Sequence, residues 1–173
     1  MRFIKQVTFD FTVSLSAVIL SGFFFAVAAQ TPPVTLTTPT TFEKTASAQG
    51  FIQRWLILEP IPANGVTDGL VQSLVKKEHF PGQFTVVPRD GEKVTANGVE
   101  LRWHAVDTTN YNVNLFHFAR AQSKKTSDVL FWAVTVVNAP TEMRDVRLSI
   151  GSNAASVWWL NGKEVIGIYG DRQ

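Results

Sequence analysis

The chain has 173 residues, 45% of them hydrophobic and 12% aromatic, with 16 Lys+Arg against 14 Asp+Glu. That length suits one domain with a real core, and a net charge of +2 argues against a polybasic nucleic-acid binder. With no cysteine in the chain, disulfides, thiol catalysis and cysteine-type zinc sites are excluded.

Residues 1–28 read as a secretory signal. Arg2 and Lys5 supply the positive start, an apolar run spans residues 11–27, and Ala26-Val27-Ala28 offers a small-x-small cleavage site. A transmembrane anchor is the rival reading, since a spanning helix needs about 20 apolar residues. No Lys or Arg follows until Lys44, so no cytoplasmic stop signal stands nearby. On either reading the folded part works outside the cytoplasm: secreted, periplasmic or at the cell surface, with no stable membrane span once a signal is cut. Residues 29–49 are Thr/Pro-rich, from Gln30-Thr31-Pro32-Pro33 to Pro39-Thr40-Thr41. This composition predicts an extended spacer or a disordered remnant.

From residue 50 the pattern changes to short β-branched and aromatic runs broken by turn residues. Trp55-Leu56-Ile57-Leu58 predicts a buried strand ended by Glu59-Pro60, and residues 83–87 predict another ended by Pro88. One helix is expected over residues 67–79, with a Leu70, Val71, Leu74, Val75 stripe and Lys76-Lys77 near its C-terminus. Residues 99–106 alternate, with Val99, Leu101, Trp103 and Ala105 on one face, the period of a half-buried strand. Residues 129–137 are apolar on both faces, as in a central strand, and Val146, Leu148 and Ile150 alternate with polar neighbours. The strongest local signal is Asn161-Gly162 between Val157-Trp158-Trp159-Leu160 and Lys163-Glu164-Val165-Ile166, which specifies a two-residue type I′ hairpin. Many short strands with one helix indicate an antiparallel sandwich.

The ordered series Trp55-Leu56-Ile57-Leu58-Glu59-Pro60-Ile61-Pro62, Tyr111-Asn112-Val113-Asn114-Leu115, Ala133-Val134-Thr135-Val136, Gly151-Ser152-Asn153 and Val157-Trp158-Trp159-Leu160-Asn161-Gly162-Lys163 resembles a recurring module. This is the galactose-binding-like jelly-roll β-sandwich found beside catalytic domains in secreted bacterial polysaccharide-degrading proteins, among them acetylxylan esterases and glycoside hydrolases. The resemblance covers about residues 51–173. It implies a mainly β, antiparallel jelly-roll with one short helix, over residues 50–173, behind the signal and linker. Two departures stand out. Related modules often carry acidic residues and glycine after the Gly-Ser turn, where this chain has Asn153, Ala154 and Ala155, which weakens any calcium role there. Such modules also continue past the Asn-Gly hairpin, so a shortened reading frame or a fragment of a longer carbohydrate esterase or glycoside hydrolase is expected, missing its last strands and with an unpaired edge.

No catalytic set assembles from the sequence. There is no Gly-x-Ser-x-Gly elbow. Tyr169-Gly170-Asp171 is followed by Arg172 where one esterase class has its serine, and a turn after a strand explains it better. His79, His104 and His117 form no metal-ligand spacing, and Glu59, Asp68, Glu78 and Asp107 form no tied carboxylate pair. The chain is therefore expected to be no enzyme by itself and to need no cofactor or metal. Lys76-Lys77 and Lys124-Lys125 are isolated doublets, expected at a helix end and a turn rather than on nucleic acid.

Binding is better supported. Sugars pack their CH faces on aromatic rings while amides and carboxylates satisfy their hydroxyls. Trp55, Trp103 and Trp132 are expected in the core. Trp158 and Trp159 are adjacent and must point to opposite faces of a strand, so one is expected outward, against a ligand or another domain. The loop Asp107-Thr108-Thr109-Asn110-Tyr111-Asn112 offers an acid, amides, hydroxyls and a ring, read either as a hydroxyl-recognition site or as an ordinary Asn-rich turn. The candidate carbohydrate residues are thus Trp158, Trp159, Tyr111, Asn110, Asn112 and Asp107. The expected role is a noncatalytic accessory module whose partner is a polysaccharide or, alternatively, a catalytic domain on which it docks without binding sugar.

Overall fold

The computed structural model describes residues 36–63, 70–109 and 111–169. The predicted signal, the start of the predicted linker, Asp68, Asn110 and the last four residues lie outside them.

In chain order the strands and helices are β1 (Leu36–Thr37), β2 (Arg54–Leu58), β3 (Ile61–Pro62), α1 (Val71–Lys76), β4 (Lys93–Ala96), β5 (Val99–Thr108), α2 (Leu115–Ala121), β6 (Val129–Leu130), β7 (Ala133–Val134), β8 (Ser156–Leu160) and β9 (Lys163–Ile168). The chain is β-rich and its sheets are antiparallel, with two helices among the described residues. No described helix is long and apolar enough to cross a membrane.

β5 organises the main sheet. Its even-numbered residues bond toward β2, where Trp55 faces Val106 and Leu58 faces Trp103. On its other edge β5 pairs first with β4, then with β1 at Thr108 and Asp107. Between those two partners the 90–92 loop takes over: Gly91 N donates to Trp103 O at 2.8 Å, and the Asp90 carboxylate accepts from Ala105 N at 2.8 Å. Every backbone donor on a buried strand needs such a partner, and here a side chain supplies the one that neither β4 nor β1 reaches.

Strand alternation sends the sheet's side chains into two cores. Leu58, Leu101 and Trp103 pack with Ile61, Phe80 and Ala96, joined by the partly buried Leu56 and Trp132. Ile57 and Val106 pack with Phe118 of α2 on the opposite face, joined by Leu36, Trp55 and Leu115. The end of β5 at residues 106–108 is therefore buried on both faces, where Phe118 of α2 covers the side of Val106.

The second helix is unexpected from the sequence. Asn114 starts it, its side chain accepting from His117 N at 2.9 Å, which is the ordinary work of an N-cap. Phe118 and Ala119 on its inner face are buried. The predicted helix at residues 67–79 is described as α1, Val71–Lys76, with residues 64–69 outside the description.

Residues 80–85 form turns rather than a strand. Pro81-Gly82 bends the chain, Gln83 N donates to Phe80 O at 3.2 Å, and the buried Gln83 side chain accepts from His79 N at 2.7 Å. The expected central strand at 129–137 is instead two short strands, since β6 pairs with β3 while β7 pairs with β2. Residues 146–150 are not strand.

The predicted Asn-Gly hairpin is present. Asn161 (φ 51°) and Gly162 (φ 82°) join β8 to β9, both left-handed as a type I′ turn requires. Asn97 (φ 49°) and Gly98 (φ 78°) join β4 to β5 in the same way. Trp158 pairs with Ile166 and Trp159 with Glu164, so Val165 is an extra residue in β9, a bulge.

The stretch read as a linker divides. Its first part lies outside the description, but Leu36–Thr37 pair with β5, Lys44 Nζ lies 3.3 Å from Asp107 Oδ2, and Arg54 donates to the carbonyls of Thr41 and Phe42 at 2.9 and 3.1 Å. A guanidinium presents several donors in a fixed fork, and here it holds the incoming segment and an acid of β5 together.

Candidate functional site

The six candidate residues fall in separate places. Trp158 packs edge-on to Trp55, ring centroids 6.2 Å apart, with its Nε1 donating to Ser156 Oγ at 3.4 Å. Trp159 lies against Phe84 at 4.9 Å and Trp132 at 5.1 Å. Both indoles are thus half-buried with ring partners, and the pair secures the β8–β9 hairpin to the sheet.

Asp107 is buried, and both its oxygens face Arg54, whose Nη2 lies 3.2 Å from Oδ2, with Lys44 alongside. The Arg54 hydrogen bond holds the Asp107 carboxyl below its ordinary value, against the opposing effect of burial and with further help from Lys44. This acid is an anchor for the incoming chain rather than an open acceptor.

Tyr111 and Asn112 are exposed, and Tyr111 is joined by a residue the sequence reading passed over. Phe51 lies 5.7 Å from the Tyr111 ring, with the planes tilted by 44°. Phe51 is 43% exposed and Tyr111 60%. The pairing follows from the strands beneath: Thr108 N donates to Gln53 O at 2.9 Å, so the chain before β2 and the chain after β5 run side by side. Phe51 is further set by Ser47, whose Oγ accepts from Phe51 N at 3.1 Å and whose N donates to Phe51 O at 3.0 Å. Gly50, at φ 82°, lets the chain close that turn. Local pattern gave no sign of Phe51, because its partner lies 60 residues away. The result is two exposed rings at one corner, with the exposed Asn112 next in the chain to Tyr111.

A second cluster also escaped the sequence. Glu59 follows β2, its Oε2 accepting from Arg102 N at 3.2 Å and lying 3.1 Å from Lys124 Nζ. His104 Nε2 lies 3.5 Å from Glu59 Oε1, and the His104 ring meets Phe118 edge-on at 5.5 Å. Burial raises the Glu59 carboxyl, but Lys124, the Arg102 N–H and His104 together outweigh it, and the net displacement is below the ordinary value. His79 is buried elsewhere, its ring nitrogens facing Leu74 O at 2.9 Å and Asn97 Oδ1 at 3.3 Å, while His117 is exposed. Among the described residues no three His, Asp or Glu side chains converge as metal ligands do.

In comparison with known proteins, no family model, curated protein or solved structure matches the chain.

Proposed function

We propose that residues 50–173 are a noncatalytic accessory module of a secreted or periplasmic polysaccharide-degrading protein, of the acetylxylan esterase-like or glycoside hydrolase-like kind, and that the module binds carbohydrate. The observation that carries this reading is the exposed Phe51–Tyr111 pair beside Asn112. Two tilted rings present apolar faces to the CH side of a sugar chain, and the amide reaches its hydroxyls. A jelly-roll sandwich of the galactose-binding-like type is the fold we assign with it, and the antiparallel sheet with a core on each face supports that assignment. The signal read in residues 1–28 supports export. Held beside a catalytic domain, the module would raise the enzyme's local concentration on its polymer.

Affinity electrophoresis of the full chain through gels containing soluble xylan tests the proposal. Retarded migration that Tyr111→Ala and Phe51→Ala abolish is the expected result. Unretarded migration of the native chain through xylan, galactan and arabinan gels rejects carbohydrate binding.

A second reading has its own observation. Leu160 and Val165 are 38% and 46% exposed on the β8–β9 hairpin. An apolar surface there suits a structural domain docked on a catalytic partner without sugar binding. Its test is the same gel: native migration in xylan with tight association to an adjacent catalytic domain favours docking.

A further inference from the structure

The gap on the edge of β5 between β4 and β1 opens into a cleft of about 230 Å³. It is smaller than the roughly 300–1,000 Å³ of sites for drug-sized ligands. A single pyranose ring is the right size.

Its polar groups come from four separated segments. Thr37 of β1 and Thr38 just after it line it, with Asp90 from the loop before β4, His104 from β5, Gln122 from the end of α2 and Phe118 as an apolar wall. Two of these groups are held in place by contacts with neighbouring residues, of which Ala105 and Phe118 also line the cleft. The Asp90 carboxylate is fixed by Ala105 N through Oδ1, and no bond among the described residues takes its second oxygen. The His104 ring is fixed between Glu59 and Phe118, and Glu59 is itself fixed by Lys124 and the Arg102 N–H. Groups whose orientation is set beforehand lose little freedom on binding.

The composition of the lining selects the ligand class. No Lys or Arg lines the cleft, which disfavours phosphate and other anions. One carboxylate and one imidazole are too few for a divalent cation. An acid, an imidazole, an amide and two hydroxyls around one aromatic wall match a neutral polyhydroxylated ring.

We infer that this cleft is a second binding site, for a single pyranose residue, with Asp90 and His104 as its principal hydrogen-bonding groups. Choosing a sugar shares the carbohydrate reading above, but the site is separate from the Phe51–Tyr111 corner. One wall is the segment that the sequence reads as a linker. The cleft is complete only when residues 36–38 lie against β5, so occupancy also holds that segment down.

The test is a titration of the isotope-labelled full chain with D-xylose and D-galactose, followed by NMR at the His104 ring and the Gln122 side-chain amide. Saturable shifts at both groups are expected with at least one sugar. Asp90→Asn keeps the acceptor for Ala105 N but removes the charge, and it should weaken binding by about tenfold, the loss of a charge-assisted hydrogen bond. Ala121→Trp fills the rim from an exposed position and should abolish the shifts, whether or not Asp90→Asn folds. Tyr111→Ala should abolish retention on xylan and leave the cleft titration intact. Shifts at His104 and Gln122 without xylan retention would reject the polymer surface and keep the cleft. Retention on xylan without saturable shifts, up to the solubility limit of both sugars, would reject the cleft and keep the surface.

Discussion

Trp158 and Trp159 are neighbours in β8, yet they belong to different cores. Trp158 meets Trp55, which packs with Ile57, Val106 and Phe118, and Trp159 meets Trp132, which packs with Leu58, Phe80 and Trp103. The alternation of a strand puts consecutive side chains on opposite sides, so one dipeptide grips the edge of the main sheet from both faces.

This arrangement predicts unequal costs. Trp159 touches two rings at 4.9 and 5.1 Å, whereas Trp158 touches one at 6.2 Å. Trp159→Ala should destabilise by about 3 kcal/mol and Trp158→Ala by about 2 kcal/mol, at or below the usual range for truncating a buried aromatic because both are half-buried. Urea denaturation curves of the two variants give the comparison directly.

Acid should loosen the sheet through two carboxylates. Glu59 and Asp107 are both displaced below their ordinary values of 4.5 and 3.8 in the folded chain. A depressed folded value means that the stabilisation is fully present above the ordinary value and is lost as pH falls through the folded one. The urea midpoint should therefore hold above about pH 5 and drop as pH falls through the two lowered folded values, and Glu59→Gln and Asp107→Asn should each remove part of that drop.

Arg54 should control how the segment before β2 is held. It bonds Asp107 as well as the carbonyls of Thr41 and Phe42. Arg54→Lys keeps the charge but loses the fork, which a point charge does not replace. Limited proteolysis should cut the variant near residues 41–44 faster than the native chain. Equal cleavage rates would show that β1 pairing alone secures the segment.

The two Asn-Gly turns differ in what surrounds them. A Cβ at Gly98 meets nothing within 4 Å, so Gly98→Ala should cost only the left-handed backbone strain, about 1–2 kcal/mol. A Cβ at Gly162 would lie 2.8 Å from the Thr85 methyl. Gly162→Ala should cost more, because Thr85 must turn and give up its 3.3 Å bond to Gly82 O. Thermal denaturation of the pair checks the order.

The elements readable in the sequence were those whose cause is local. The Asn161-Gly162 hairpin follows from two residues that tolerate positive φ, and Asn97-Gly98 carried the same signal unnoticed. Trp55-Leu56-Ile57-Leu58 and the alternation at residues 99–106 gave β2 and β5. α2 is hard to see in the sequence because it is only seven residues long and its cap, Asn114, sits in an Asn-rich run that also suits a turn. Residues 129–137 misled for another reason: a uniformly apolar run does not say that Leu130 pairs with Ile61 while Val134 pairs with Leu56. At the candidate site Tyr111 and Asn112 stand out as exposed, as a loop reading implies. Phe51 and the Glu59–His104 contact depend on strand pairing across 45 residues or more, which no short pattern contains.

Calorimetric titration of the full chain with xylohexaose, beside Tyr111→Ala, tests carbohydrate binding at the Phe51–Tyr111 corner most directly. Heat of binding is expected for the native chain and falls in Tyr111→Ala to no more than D-xylose gives at the cleft, while the urea midpoint of the variant stays unchanged. Equal heats from the two proteins, or none from the native chain, would contradict binding at that corner.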